Sequence, residues 1–161
     1  MVGFSEVARF LSDRSDDLLA AAGASIARAH LPHYEGAGEV VTRERLRALL
    51  GLVVRCAAER HLGPILEHAA RIATERRAAG FDLGEVQTAI NVLEEAMWRA
   101  VLAELPAEEQ GAALGIVGTI LGAAKDSLAC TYVSLATRAP TRTLDLAELF
   151  HGPREGDTAA A

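Results

Sequence analysis

The sequence predicts an all-α bundle of about five to six helices, and three observations carry that expectation. Apolar residues recur at steps of three and four along most of the chain, and no segment of useful length alternates with a period of two. Half of the residues are hydrophobic while aromatics are only 4%, so the core must come from Ala, Leu, Val and Ile on closely approaching helices. Between Glu67 and Leu102 a helix stop, a turn and a helix start are spelled out in consecutive residues. At 161 residues the chain fits a single domain with a proper core. We expect that helical domain to span 1–140, with a short terminal helix and a disordered tail over 141–161.

The central stretch sets the rest. Arg76, Arg77, Ala78, Ala79 and Gly80 read as a helix end, with cations opposing the partial negative charge of the free carbonyls and Gly80 able to take positive φ. Asp82 then stands at an N-cap with Glu85 three residues on to complete a capping box, and Phe81 and Val86 are spaced as a hydrophobic staple. Leu83, Val86, Ile90, Leu93, Met97 and Val101 form one apolar stripe on the helix that follows.

Taken in order, Ser5 opens a helix in which Phe4, Val7, Ala8 and Leu11 share a face, interrupted or continued through Ser12–Asp17 and ending near Leu31-Pro32. His33 to Val41 carries Gly36 and Gly38 without helical period and reads as a loop. Thr42 is placed to cap the next helix, whose stripe is Leu46, Leu49, Leu50, Val53 and Ala57. Gly63-Pro64 breaks the chain, and Ile65, Leu66, Ala69, Ile72 and Ala73 carry the stripe on to Gly80. After the central hairpin, Leu105-Pro106 separates the last long helix, in which Leu114, Val117, Leu121, Ala124, Leu128 and Leu135 form the stripe. That helix also holds Gly111, Gly115, Gly118 and Gly122, spaced by four, three and four. Each costs roughly 1 kcal/mol relative to Ala in a helix interior. Close backbone contact with a neighbouring helix, within the bundle or across a dimer, would offset that cost, so the four are candidate interface residues.

A net charge of −6 and the absence of a Lys/Arg block exclude a phosphate-tracking stripe, so nucleic acid is not an expected partner. Cys56 and Cys130 lack CxxC spacing and read as small buried hydrophobes in a reducing compartment. Glu6 and Arg9 interrupt any leader-like apolar run, and the uncharged window Gly111–Ala124 falls short of the ~20 residues a bilayer requires. The expectation is therefore a cytoplasmic protein without a membrane segment.

Catalytic and metal signatures are missing. His30 and His33 are spaced H-x-x-H, with Tyr34 and Glu35 beyond, but lack companion ligands, so a polar surface turn is expected there rather than a metal site. The helices of the predicted bundle carry no Glu-x-x-His pair of the di-iron kind, and HExxH is absent. No G-x-S-x-G, G-x-G-x-x-G or GxxxxGK[ST] occurs. Glu94, Glu95 and Arg99 read as a solvated or interhelical ionic face, with Glu95 and Arg99 at i,i+4. Trp98 stands beside the Met97 stripe, either as core or as an anchor at a partner surface.

The central stretch resembles the N-terminal sensory domain of the RsbR/RsbRD type, the non-haem globin-like module of stress-signalling regulators. His68, Arg71, Arg77, Gly80, Phe81, Leu83, Val86, Leu93 and Met97-Trp98 carry the resemblance, with a weaker echo at Asp126 and Tyr132 and coverage from Thr42 to Thr137. The resemblance implies a globin-like helical bundle that dimerises and passes a signal to an output domain, often of STAS type in the stressosome. Residues 1–140 would then be a sensory and dimerisation domain. About twenty residues follow Pro140, so we expect a freestanding sensor or adaptor whose output partner is a separate signalling protein. In this reading it is not an enzyme, and it is a homodimer without a cofactor. A rival reading is a haem- or small-ligand-binding globin-like sensor, with His61 or His68 holding the ligand and Phe81 or Trp98 in the pocket. A small helical enzyme using His68 with Glu67 or Glu94 ranks last, since no spacing supports it.

Overall fold

The computed structural model describes residues 2–137. They form seven α-helices: α1 Phe4–Asp13, α2 Ser15–Ala29, α3 Pro32–Ala37, α4 Glu39–Glu59, α5 Gly63–Ala78, α6 Leu83–Glu104 and α7 Ala107–Thr137. No strand occurs among the described residues, so the all-α class holds. The terminal helix and tail expected over 141–161 lie outside the described residues.

Seven helices rather than five or six arise at two places. Arg14 separates α1 from α2, where the expected helix is one long or broken piece. The larger difference is α3. Residues expected as a loop include a six-residue helix that begins on Pro32, with Tyr34 buried beneath it. Pro32 needs no N–H partner in a first turn, and Gly38 at φ 86° turns the chain straight into α4. As a result α4 begins at Glu39, and Thr42 is a buried residue inside it rather than its cap.

The stripes read from the sequence form the core. Leu46, Leu49, Leu50, Val53 and Ala57 are buried on α4, as are Val86, Ile90, Leu93, Met97 and Val101 on α6. On α5, Ile65, Ala69 and Ala73 are buried. Val117, Leu121, Ala124 and Leu128 are buried on α7, whereas Leu135 lies on the surface. α7 packs against both α5 and α6, α2 against α6, and α1 against α4. The Ser127 hydroxyl donates to the Leu66 carbonyl at 3.1 Å, tying α7 to α5. Lys125 Nζ reaches Glu94 at 2.6 Å and Asn91 at 3.3 Å, which sets the antiparallel register of α6 and α7. Cys56 is buried and Cys130 half-buried, and no disulfide joins them. α7 is long and apolar enough by composition to cross a membrane, but half of its most apolar window is buried against the other helices.

Candidate functional site

The α5–α6 turn builds one end of the bundle. Gly80 sits at φ 87°. Phe81 N–H donates to the Arg76 carbonyl at 2.9 Å and Gly80 N–H to the Arg77 carbonyl at 3.0 Å, the paired bonds that close a helix through a left-handed residue. Two residues later Asp82 Oδ1 accepts from Glu85 N–H at 2.8 Å, and Glu85 Oε2 accepts from Asp82 N–H at 3.2 Å. Both partners of the expected staple, Phe81 and Val86, are buried.

Glu85 has a second task that its capping role does not reveal. Its side chain is only 7% exposed, and it also accepts from His33 N–H at 3.1 Å and pairs with His33 Nδ1 at 2.8 Å. One carboxylate thus fastens the first turn of α3 to the first turn of α6. The His33 ring stacks on Phe81 with centroids 4.6 Å apart, and Tyr34 meets Phe81 edge-on at 5.5 Å. From the far side the Tyr132 hydroxyl donates to the Phe81 carbonyl at 3.2 Å, and Arg77 reaches the Tyr132 carbonyl at 3.4 Å. Four residues of the resemblance, Arg77, Gly80, Phe81 and Tyr132, therefore meet in one corner.

Beside this corner is a cavity of about 260 Å³. Its walls come from α3, α4, α5 and α6, with Leu49, Ile72, Val86 and Ile90 on the apolar side and Arg45, His68, Arg71 and Arg76 on the polar side. Arg45 lies over the Tyr34 and Phe81 rings at 5.7 and 5.5 Å, and Arg76 stands 5.5 Å from the same Phe81 ring. Burial, and then the charge of Arg76, pull the Arg45 guanidinium below its ordinary value. Burial pushes the Tyr34 phenol up. His68 is held below its usual range by burial and then by Arg71 and Arg76, which favours the neutral ring. Arg71 Nη2 lies 2.9 Å from His68 Nδ1. A guanidinium only donates, so Nδ1 accepts and the ring proton sits on Nε2.

The candidate residues fall into three separate places. His61 and His68 line a shallow groove between α4 and α5 with Gly63, Pro64, Glu67 and Arg71, although the break at Gly63-Pro64 gives no reason to expect them on one face. The His61 ring packs directly on Gly63. His68 also faces the cavity, and Phe81 is buried behind Arg45 and Arg76. Trp98 is 37% exposed on α6 with Arg99 over its ring at 5.3 Å, and it lines none of these cavities. Gly111, Gly115 and Gly118 face solvent, Gly122 is half-buried, and a Cβ at any of the four would meet no described atom within 4 Å. Their cost is thus not offset by close packing within the described chain.

Other polar readings resolve simply. Glu94 pairs across helices with Lys125, and Glu95 pairs with Arg99 at 2.6 Å along its own helix. His30 lies in an exposed turn, 2.9 Å from Glu35, and His33 is also at the surface although Glu85 holds it to the corner, whereas Tyr34 is buried there. No cluster of three or more metal-ligating side chains occurs among the described residues. Arg45, Arg76 and Glu85 are the functional candidates that sequence reasoning missed, because each matters through partners on other helices.

Residues 7–139 match the family described as the RsbT co-antagonist protein rsbRD N-terminal domain. The chain belongs to that family. The match covers α2 to α7 whole and most of α1, so the corner, the cavity and the glycine face all lie within the rsbRD domain. The family is one of regulators in stress signalling. No curated protein and no solved structure gives a match.

Proposed function

We propose that this rsbRD domain is a non-catalytic, cytoplasmic sensor or adaptor that pairs with a second copy of itself and regulates a separate output protein of the RsbT-linked stress response. Membership of the co-antagonist family over 7–139 carries the regulatory part of the reading. The outer face of α7 supports the pairing. Gly111, Gly115 and Gly118 weaken an exposed helix, and a Cβ at each would meet no described atom within 4 Å, so a second helix laid against them would recover that cost by close backbone approach. Apolar side chains are exposed on α7 itself, Val133 and Leu135, and on its neighbour α6, Trp98 and Leu102.

Light scattering on the purified protein tests this. The wild type should run as a dimer, and Gly115→Arg with Gly118→Arg should give a folded monomer of unchanged helicity. A wild-type monomer at millimolar concentration, or a dimer indifferent to both arginines, would remove the glycine face from the proposal.

A further inference from the structure

The cavity between α4, α5 and α6 is lined by two arginines, Arg45 and Arg76, that form no ion pair among the described residues. Arg45 Nη1 is sealed from solvent and has no hydrogen-bond partner among the described residues. Five of the ten other arginines among the described residues find carboxylates: Arg14 with Glu104, Arg43 with Asp16, Arg55 with Glu59, Arg71 with Glu75 and Arg99 with Glu95. Arg45 and Arg76 form no ion pair among the described residues, although Glu44 and Glu75 line the same cavity. Glu75 is engaged by Arg71 at 2.9 Å. In a chain of net charge −6 carboxylates are in surplus, so a pair of neighbouring guanidiniums without one is a costly arrangement. Both lie 5.5 Å from the Phe81 ring, and guanidiniums lining one cavity are suited to holding an oxyanion.

The other walls define what the anion must carry. Leu49, Ile72, Val86, Ala89 and Ile90 are apolar and belong to three helices. At about 260 Å³ the space is just below the usual range of small-molecule pockets, roughly 300–1,000 Å³, so it suits a compact molecule. His68 contributes a ring whose proton is on Nε2, a hydrogen-bond donor.

We propose that this cavity binds a compact organic oxyanion, a carboxylate or phosphate monoester on a small apolar body. Arg45 and Arg76 hold the oxyanion, His68 Nε2–H donates to it, and the Leu49, Ile72, Val86 and Ile90 wall takes the apolar part. The site lies within one chain and stands whether or not the α7 face pairs.

Calorimetric titration and thermal melts of the whole protein test it, with benzoate, phenyl phosphate, inorganic phosphate and the neutral isostere benzamide as probes. Benzoate or phenyl phosphate should raise the melting temperature saturably and benzamide should not. Which of the two binds more tightly assigns the head group as carboxylate or phosphate. Inorganic phosphate should bind more weakly than either, having no apolar part. Arg45→Met should weaken the anion by roughly 10- to 100-fold, the worth of one charge-assisted hydrogen bond, while the unliganded protein melts no lower than the wild type. Arg76→Met provides the same reading should Arg45→Met not fold, and Arg99→Met should bind as the wild type does. No saturable response to the three anions, an equal response to benzamide, or undiminished binding by both cavity variants would overturn the proposal. So would a lowered melting point of Arg45→Met with its anion response intact, which would make Arg45 only a cation packed on two rings.

Discussion

Glycine is used for opposite reasons in two regions of this domain. Gly80, in the α5–α6 turn, is held at φ 87° by the geometry of the chain itself, in a corner where Glu85 bonds His33, His33 stacks on Phe81 and the Phe81 carbonyl accepts from Tyr132. Gly111, Gly115 and Gly118 lie in ordinary helix on the outside of α7 with open space around each Cα. In the turn, glycine relieves a strain that any side chain would meet. On α7 it weakens the helix without relieving a contact with any described residue. A residue type that costs stability and has no internal reason points outward, to whatever the domain meets.

That contrast can be broken or sharpened by substitution. The largest effect is expected at the corner: Glu85→Ala removes the shared acceptor of Asp82 N–H, His33 N–H and His33 Nδ1. It should cost about 2–3 kcal/mol in urea melts, since part-buried donors lose a charged partner. A loss below about 0.5 kcal/mol, the range of ordinary surface changes, would mean that the corner is not a structural clamp.

The same substitution at the two kinds of glycine should then have opposite signs. Gly80→Ala forces a Cβ into the left-handed region, and His33 Nε2, 3.4 Å from that Cβ, adds no clash of its own. The expected loss is about 1–2 kcal/mol, and an unchanged urea midpoint would refute the left-handed cap. Gly118→Ala meets nothing within 4 Å and should stabilise the monomer by up to about 1 kcal/mol. If the α7 face pairs closely, that gain should shrink as protein concentration rises, because the added methyl separates the two backbones. A gain independent of concentration would argue that the face stays open.

The turn was legible because capping is local. Gly80, Asp82 and Glu85 lie within six residues, and the groups they satisfy belong to the same helix ends. The apolar stripes were legible for the same kind of reason, since a period of 3.6 marks the face that must be buried. α3 was not. Six residues containing two candidate helix breakers cannot sustain a helix on propensity, and it exists because Tyr34 packs into the core and Glu85 holds its first turn. Leu135 fits the α7 stripe by spacing, yet the helices that bury the rest of that stripe leave it exposed.

By itself, then, the sequence determined the all-α class, most of the helix ends and the buried faces, together with the resemblance that family membership bears out. These follow from short-range rules of spacing, capping and charge. The tertiary structure alone decided that Glu85 serves His33, 52 positions away in the chain. It also decided that Arg45 and Arg76, from different helices, converge on Phe81 without an ion pair among the described residues and that Gly111, Gly115 and Gly118 face outward. Partners brought together by chain packing leave no period or motif behind them, because nothing in the local sequence records which helix will lie alongside.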